Sequence, residues 1–389
     1  MICPQKLDKK LLGFTSKKRL FIITREKNKL TYFFSTPISL YLPKRRIKRL
    51  NMHKQLFTTA ILMLTMALSS VAQNKYTNPV FNVDFPDPSV QRAPDGYFYA
   101  YATGPNCLKS KDLVNWERVK RVIERPTWND TTYVDSNGKK RINRYSFWAC
   151  DVNRVGKKYI MYYACALWGN QTRTGIGVAE GDSLTKFEDR GKMFRSTEID
   201  VKNSIDPIYW EEKGKKYLAW GSFNGIYISE LSKDGLKLKD QSKKTVIAGT
   251  AFEGAMIHKR GKYYYLFCSV GSCCEGAKST YRTVVGRSKK LFGPYVNKEG
   301  KKMLDNHYTT IIKANDRWKG PGHNSEIITD DNGDDWLLYH AYDAEVPHEG
   351  RMMLLDKIIW SADGWPSVND GTPSTTRQDA PVFKNKREK

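Results

Sequence analysis

The chain has 389 residues, of which 12% are aromatic and 28 are glycine, and its formal net charge is +24. This length suits two average domains or one large all-β domain, and the aromatic residues and glycines favour many short strands joined by tight turns. Residues 1–72 contain 15 Lys and Arg against two Asp and Glu, which leaves a net charge of +11 in the remainder. That excess is dispersed in ones and twos, without any zinc-finger, helix-turn-helix or RRM signature, and therefore argues against a nucleic-acid partner.

An export signal is predicted at residues 52–72. Met52 begins a short basic segment, an apolar stretch follows from Leu56 to Leu68, and small residues lead up to Ala72. The apolar stretch is too short to span a bilayer, so the segment is typical of a secretory signal peptide cleaved after Ala72. Because such a signal begins a protein, we interpret residues 1–51 as an upstream over-extension. The alternative is a genuine cytoplasmic extension, in which the apolar stretch is a marginal anchor.

The spacing of the cysteines does not indicate a disulfide framework or a metal site. Seven are present, Cys3 lies in the doubtful extension, and no CxxC pair suggests zinc or redox chemistry. Export would permit disulfides. Since adjacent residues such as Cys273 and Cys274 rarely bond each other, we expect mostly buried thiols.

A strand pattern repeats five times along the chain. In each copy, a turn containing glycine or aspartate precedes a strand rich in aromatic residues. The copies are Asp95–Tyr101, Gly156–Tyr163, Gly214–Trp220, Gly261–Phe267 and Asp334–His340. Repeats of this kind are typical of β-propellers, and long stretches of helical periodicity are absent from the sequence.

Each copy follows a short apolar strand that opens with a polar residue. The openers are Asp87, Asp151, Asp206, Glu253 and the pair His323 and Asn324. The first strand of a propeller blade lies nearest to the central axis, so we expect the openers to converge at one end of the channel. We therefore predict an all-β fold, a five-bladed β-propeller over residues 73–374, followed by a frayed polar tail, residues 375–389. The alternative is a two-sheet sandwich, which would point the same side chains to solvent in different places.

Three of the openers are acids whose surroundings predict different pKa values. Asp87 lies between two prolines with no basic residue near in sequence, which suits an ionised base or, alternatively, a turn-forming aspartate. Asp206 lies between an apolar residue and a proline, and it either caps backbone amides or tunes a neighbouring carboxyl. Glu253 has apolar neighbours, which would raise its pKa and keep it protonated. A protonated acid with an ionised base is the pair that hydrolysis of a glycosidic bond requires.

The segments around these acids resemble glycoside hydrolase family 43, and most of all its arabinanases. The matching stretches are Asn78–Val80 with Phe85–Ser89, Ser204–Pro207, Phe252–Gly254, Cys273–Gly276 with Ser279–Tyr281, Val285–Ser288, Gly320–Ser325 and Tyr339–Asp343. The likeness extends from about Tyr76 to Ser374, and it rests on the order and spacing of the stretches together.

The resemblance implies an inverting mechanism, with Asp87 as general base, Glu253 as general acid and Asp206 tuning and positioning the acid. Inversion predicts base and acid carboxyls about 6.5 to 9.5 Å apart, because a water must fit between them. The resemblance also implies that His340 helps to hold a metal, usually calcium, with water supplying most other ligands. From its own segment, a lone histidine at the end of an aromatic strand is more typical of a satisfied core residue, and calcium prefers oxygen ligands. For substrate contacts we expect Trp148, Asp151, Trp168 and His323.

The leading hypothesis is an exported hydrolase, periplasmic or extracellular, that resembles an endo-acting 1,5-arabinanase and cleaves α-L-arabinofuranosyl linkages in arabinan or a related plant cell-wall polysaccharide. We expect a monomer whose partner is a polysaccharide or oligosaccharide. The alternatives are an exo-acting arabinofuranosidase or xylosidase of the same fold and a non-catalytic carbohydrate-binding propeller. Endo and exo action both stay open, because residues 306–309 depart from the family pattern near the rim of the site.

Overall fold

The chain divides into two units, residues 1–72 and residues 73–389. The computed structural model describes residues 74–384 with their side chains and, in the first unit, only the backbone of three strands. These strands are Leu11–Phe14, Leu20–Glu26 and Lys29–Phe34, and they form an antiparallel sheet in chain order. The predicted signal peptide at residues 52–72 lies outside the described residues, as does most of the predicted over-extension at residues 1–51.

Five antiparallel sheets, each with its four main strands in chain order, make up the second unit. Blade I contains Ser89–Arg92, Phe98–Ala102, Asn106–Ser110 and Trp116–Val119. Blade II contains Ser146–Val155, Lys158–Ala166, Gly175–Ser183 and Lys186–Arg195. Blade III contains Ile208–Glu212, Lys215–Trp220, Ile226–Glu230 and Thr245–Ala248. Blade IV contains Glu253–Arg260, Tyr263–Val270, Arg282–Ser288 and Thr309–Ile312. Blade V contains Trp318–Gly322, Asp335–Asp343, Met352–Trp360 and Pro366–Val368, and Ile328–Thr329 pairs with its second strand.

The remaining elements are short. Thr131–Val134 and Lys140–Asn143 form a hairpin between blades I and II. A single helical turn spans Ser196–Ile199, and 3-10 turns span Gly276–Lys278, Met303–Asp305 and Pro347–Glu349. Within the described part of the chain, no helix is long and apolar enough to cross a membrane.

Aromatic side chains fill the spaces between neighbouring blades. Tyr101 of blade I meets Phe187 of blade II edge to face, with ring centroids 6.0 Å apart. Tyr162 of blade II stacks on Tyr209 of blade III at 5.8 Å. Each pair buries two large rings between described sheets whose strands are not paired with each other, so the repeated aromatic strand supplies packing that joins one blade to the next.

The N-terminal segment of the second unit closes the ring between blades V and I. The Asn78 side chain donates to the carbonyl of Leu355 at 3.0 Å and accepts from the Leu355 N–H at 2.9 Å. Lys75–Tyr76 pairs with Gln378–Asp379 from the other end of the unit. The segment before blade I is therefore joined to blade V by side-chain hydrogen bonds and to the C-terminal segment by a short two-stranded sheet.

The expectation of a frayed tail is wrong for residues 375–384. Besides the pairing of Gln378–Asp379, the N–H of Val382 donates to Asp330 at 3.0 Å, and Phe383 packs on Phe98 at 4.6 Å between ring centroids. The polar composition of the tail, from which fraying was expected, does not reveal these contacts. The predicted all-β, five-bladed β-propeller is confirmed for the second unit, and the two-sheet sandwich is wrong.

Candidate active site

The predicted site residues cluster at the starts of the innermost strands. Asp87 precedes the first strand of blade I, Asp206 precedes that of blade III, and Glu253 begins that of blade IV. Asp87 and Asp206 adopt positive φ angles of 59° and 58°. Non-glycine residues rarely adopt such angles, and the cost is typically tolerated where a functional side chain must be aimed. The local backbone thus turns both carboxyls into one cleft.

The cleft has a volume of about 710 Å³ and is lined by residues from all five blades. Asp87, Asp206 and Glu253 line it together with Trp148, Trp168 and His323 from the predicted set. Trp148 and Trp168 lie side by side, with ring centroids 6.0 Å apart, and the indole of Trp168 is 74% exposed. An apolar ring that is this exposed beside buried carboxyls is suited to stacking on the face of a sugar.

Asp87 is held in the ionised state. Its Oδ2 accepts a hydrogen bond from Thr103 at 2.6 Å, and its Oδ1 lies 3.2 Å from both Arg351 and His323 Nδ1. Burial alone would raise its pKa, but the charges of Arg351 and His323 outweigh burial and keep the pKa well below its ordinary value. An ionised carboxylate in the cleft can accept a proton from water.

Glu253 has the opposite protonation preference. Burial and the neighbouring charge of Asp206 raise the pKa of Glu253 to about 7, although Ser222 donates a hydrogen bond to its Oε2 at 2.7 Å. Burial also raises the pKa of Asp206 to about 6, and Asp87 adds to that shift. The cleft thus holds one carboxyl of lowered pKa and two of raised pKa, an arrangement that can supply a base and an acid from chemically similar side chains.

The two histidines beside Asp87 differ in charge. Burial lowers the pKa of His323, but Asp87 and Asp206 raise it to about 9, so this imidazole is protonated at neutral pH. Burial lowers the pKa of His340 to about 4, and its Nδ1 accepts the N–H of Asp87 at 3.1 Å. His323 therefore contributes positive charge to the cleft, while the neutral His340 lies beneath it, stacked on Tyr281 with ring centroids 5.7 Å apart.

Asp151 does not line the cleft, contrary to our expectation of a substrate contact. The first strand of blade II begins at Ser146 and bulges between Phe147 and Cys150, so Asp151 lies inside the sheet rather than at its start. Its carboxyl accepts the N–H of Tyr209 in blade III and is only 1% exposed. This residue joins blades II and III instead of contacting substrate.

Several residues that line the cleft were not predicted from the sequence. Thr103, Phe223 and Arg351 come from connections between the second and third strands of blades I, III and V, and Ser222 adjoins Phe223. The sequence around these residues contains no feature that indicates a site, because only the folded ring places these connections over the channel. The equivalent connection of blade IV contains Cys273 and Cys274, which are joined by a disulfide. The expectation of thiols is wrong there, although Cys107, Cys150, Cys165 and Cys268 are buried free thiols.

Few protein side chains could act as ligands of the metal predicted at His340. Among residues 74–384, no group of three or more His, Cys, Asp or Glu side chains is arranged to hold a metal ion. However, Nε2 of His340 is fully buried and has no hydrogen-bond partner. A neutral imidazole with a buried, unpartnered nitrogen fits one ligand of an ion whose other ligands are water.

An ionised base and a raised-pKa acid that face one aromatic-lined cleft in a propeller define a glycoside hydrolase. Comparison with known proteins gives the family. Residues 76–366 match the model for glycosyl hydrolases family 43, and the chain belongs to that family.

Its relatives include enzymes of two modes of action. The chain is 33% identical over 314 residues to the extracellular exo-alpha-(1->5)-L-arabinofuranosidase of Cellvibrio japonicus, an alignment that covers 74% of this chain and 87% of that one. It is 36% identical over 272 residues to the extracellular endo-alpha-(1->5)-L-arabinanase 1 of Bacillus subtilis, covering 68% and 80%. The solved structure of Cellvibrio cellulosa alpha-L-arabinanase with arabinohexaose matches with a TM-score of 0.65 and 31% identity, covering 74% of this chain and 96% of that one.

Proposed function

We propose that this protein hydrolyses α-1,5-linked L-arabinofuranosyl residues in arabinan and its oligosaccharides, with inversion at the anomeric carbon. The observation that carries the proposal is the pair of Asp87 and Glu253, which have opposite protonation preferences in one cleft. The named relatives that act on this linkage supply the choice of sugar. A non-catalytic carbohydrate-binding propeller has no need for such a pair.

The chemistry follows from the two protonation states. Glu253 donates its proton to the glycosidic oxygen as the bond to the anomeric carbon breaks. Asp87 accepts a proton from the water that attacks the opposite face of the sugar. Afterwards Asp87 is protonated and Glu253 is ionised, and exchange of one proton each with solvent restores the enzyme. Asp206 acts as a positioning residue, because it raises the pKa of Glu253 and binds the N–H of Gly254 at 3.0 Å.

Endo action is the mode that the cleft favours. The exposed indole of Trp168 extends the sugar-binding wall beyond the buried carboxyls, which suits a chain that continues past the cleavage point. The second candidate is exo action, because the relative from Cellvibrio japonicus is named as an exo enzyme. Sizing the products from linear arabinan decides between them: early oligosaccharides of mixed length support endo action, and release of a single short product from the first minutes contradicts it.

The choice of polysaccharide is tested with a panel. We expect hydrolysis of linear arabinan and slower hydrolysis of branched arabinan, because side chains hinder entry of the backbone into the cleft. Little release is expected from arabinoxylan, because its backbone is xylan and it contains no α-1,5-linked arabinan chain. Preferential hydrolysis of arabinoxylan would contradict the proposal and favour the related activity on xylan side chains.

The protein acts outside the cytoplasm in this proposal. The basic and apolar segments of residues 52–72 support export, and the two relatives described above are named as extracellular. N-terminal sequencing of the exported protein tests the prediction of cleavage after Ala72. The expectation of a monomer is tested by light scattering coupled to size-exclusion chromatography.

Calcium is the proposed metal, held by Nε2 of His340 with water as the remaining ligands. The buried, unpartnered Nε2 supports this assignment, although oxygen donors are what calcium generally prefers. When bound, the ion would add positive charge beneath the carboxyls. A metal on Nε2 would place the imidazole proton on Nδ1, which would then donate to Oδ1 of Asp87, 3.3 Å away, in place of accepting the Asp87 N–H. Elemental analysis of the purified wild type and of a His340→Ala variant tests the site: calcium lost with the imidazole supports it, and equal calcium in both contradicts it.

A further inference from the structure

The disulfide between Cys273 and Cys274 forms part of the cleft wall, and no step of the proposed reaction accounts for it. Both residues line the cleft, where Cys273 is half-buried and Cys274 is exposed. They lie in the connection from Tyr263–Val270 to Arg282–Ser288 in blade IV, the blade that also carries Glu253. The pair therefore faces the same space as the general acid.

The other described cysteines behave differently. Cys107, Cys150, Cys165 and Cys268 are buried free thiols, as is usual for cysteines that pack in a core. Only the adjacent pair among residues 74–384 is both oxidised and open to the cleft. Core packing thus explains four cysteines and leaves this pair without an explanation.

The backbone on either side of the pair is tied down independently of the sulfurs. Ser279 donates through its hydroxyl to the carbonyl of Ser272 at 2.6 Å, and the N–H of Ser272 donates to Thr280 Oγ1 at 3.0 Å. Tyr281 N–H donates to the same Ser272 carbonyl at 3.1 Å. The base of the loop is thus closed by hydrogen bonds, and a disulfide between neighbouring residues closes no long loop, so its loop-closure entropy adds little to stability.

The surface that the pair presents is suited to a sugar. Two sulfurs and two methylene groups form a polarisable patch without a hydrogen-bond donor, whereas two free thiols would rotate independently and offer weak donors. The covalent link fixes the patch before substrate arrives, and such preorganisation lowers the entropy lost on binding. Both cysteines line the cleft that also contains Glu253, the proposed acid, so the patch faces the part of the substrate on which that acid would act.

We propose that the Cys273–Cys274 disulfide is a sugar-contacting surface in the leaving-group half of the cleft, and that substrate affinity depends on its oxidised state. The inference rests on the proposed function, because it takes the substrate to be an arabinan chain. Opening the pair needs a dithiol reductant, which transfers two electrons and two protons: the sulfur–sulfur bond breaks, both cysteines become thiols, and the dithiol becomes a cyclic disulfide.

The test compares oxidised and dithiothreitol-reduced wild type on linear α-1,5-arabino-oligosaccharides and on 4-nitrophenyl α-L-arabinofuranoside. Titration of accessible thiols verifies that the pair has opened. We expect KM for the oligosaccharides to rise by about three- to tenfold, with kcat changed by less than about twofold, since only binding is altered. The aryl substrate lacks a departing sugar and should show a smaller change in KM.

A Cys273→Ser/Cys274→Ser variant is the matched control. It should resemble the reduced wild type, and dithiothreitol should not change its kinetics. An unchanged KM in wild type whose pair has been opened contradicts the proposal. Loss of kcat together with a lower unfolding temperature also contradicts it, because the pair would then only support the loop.

Failure of the proposed function is recognised separately, before any reductant is added. If oxidised wild type hydrolyses none of these substrates, oligosaccharide binding is measured by tryptophan fluorescence with and without dithiothreitol. Affinity that falls on reduction supports the disulfide surface even then, and affinity that does not change, or absence of binding in both states, overturns it.

Discussion

Oδ2 of Asp206 accepts a hydrogen bond from the N–H of Gly254, the residue immediately after the proposed general acid Glu253, at 3.0 Å. This contact joins blade III to the start of blade IV and places the carboxyl of Asp206 beside Glu253. The same carboxyl raises the pKa of Glu253, second only to burial. Asp206 therefore acts on the position and on the protonation of the acid.

Replacing Asp206 by Asn should separate these two effects. The amide oxygen can still accept the Gly254 N–H, but the negative charge is lost, so the pKa of Glu253 should fall from about 7. Because the acid works in its protonated form, the alkaline limb of the kcat profile should move about one pH unit lower. An alkaline limb that stays in place, with kcat reduced equally at every pH, would show that Asp206 does not tune the acid.

Replacing Glu253 by Gln should lower kcat on arabinan by about 10²- to 10⁴-fold, because the leaving oxygen is no longer protonated. Aryl arabinofuranosides with acidic phenols need little protonation, so their hydrolysis should be much less affected. Thermal unfolding of both proteins controls for misfolding. Equal losses on arabinan and on the most reactive aryl substrate contradict the assignment of Glu253 as the acid.

Replacing Trp168 by Ala should raise KM for long arabino-oligosaccharides by about tenfold and leave the unfolding temperature unchanged, because the 74% exposed indole contributes little to the core. The matched control is Tyr133→Ala, which removes an aromatic ring that is 47% exposed but does not line the cleft. Equal effects of the two substitutions on KM would exclude a sugar contact by Trp168.

Replacing Asp151 by Ala should destabilise the protein rather than impair substrate binding. The N–H of Tyr209 loses its partner in the interior, at a cost of about 1–3 kcal/mol in the free energy of unfolding. Urea unfolding measures this loss, and KM of the folded variant should match that of wild type. A raised KM with unchanged stability would restore the substrate contact that the sequence suggested.

The repeat made most of the fold and the three carboxyls predictable. Asp87, Asp206 and Glu253 occupy corresponding positions in three blades, so the repeat alone predicted that they lie in one site. Asp151 occupies a similar position in the sequence pattern, but the bulge between Phe147 and Cys150 places it inside the sheet. A bulge inserts residues into one strand without a clear sequence signature, and the pattern could not locate it.

The rest of the site depends on contacts between blades. Arg351 reaches Asp87 from blade V, 264 positions away in sequence, and Ser222 reaches Glu253 from blade III. Neither residue stands out within its own segment, since arginine and serine are common in surface connections. The disulfide was missed for a different reason, because adjacent cysteines seldom bond each other and the sequence therefore predicted free thiols.

The proposed inverting hydrolysis by Asp87 and Glu253 is tested by the anomeric form of the first product. Proton NMR of linear α-1,5-arabino-oligosaccharide hydrolysis, recorded before the products mutarotate, distinguishes the two anomers. Inversion at an α-linked residue should give a new reducing end that appears first as the β anomer and then equilibrates. A new reducing end that appears first as the α anomer would contradict inversion, and with it the roles assigned to the two carboxyls.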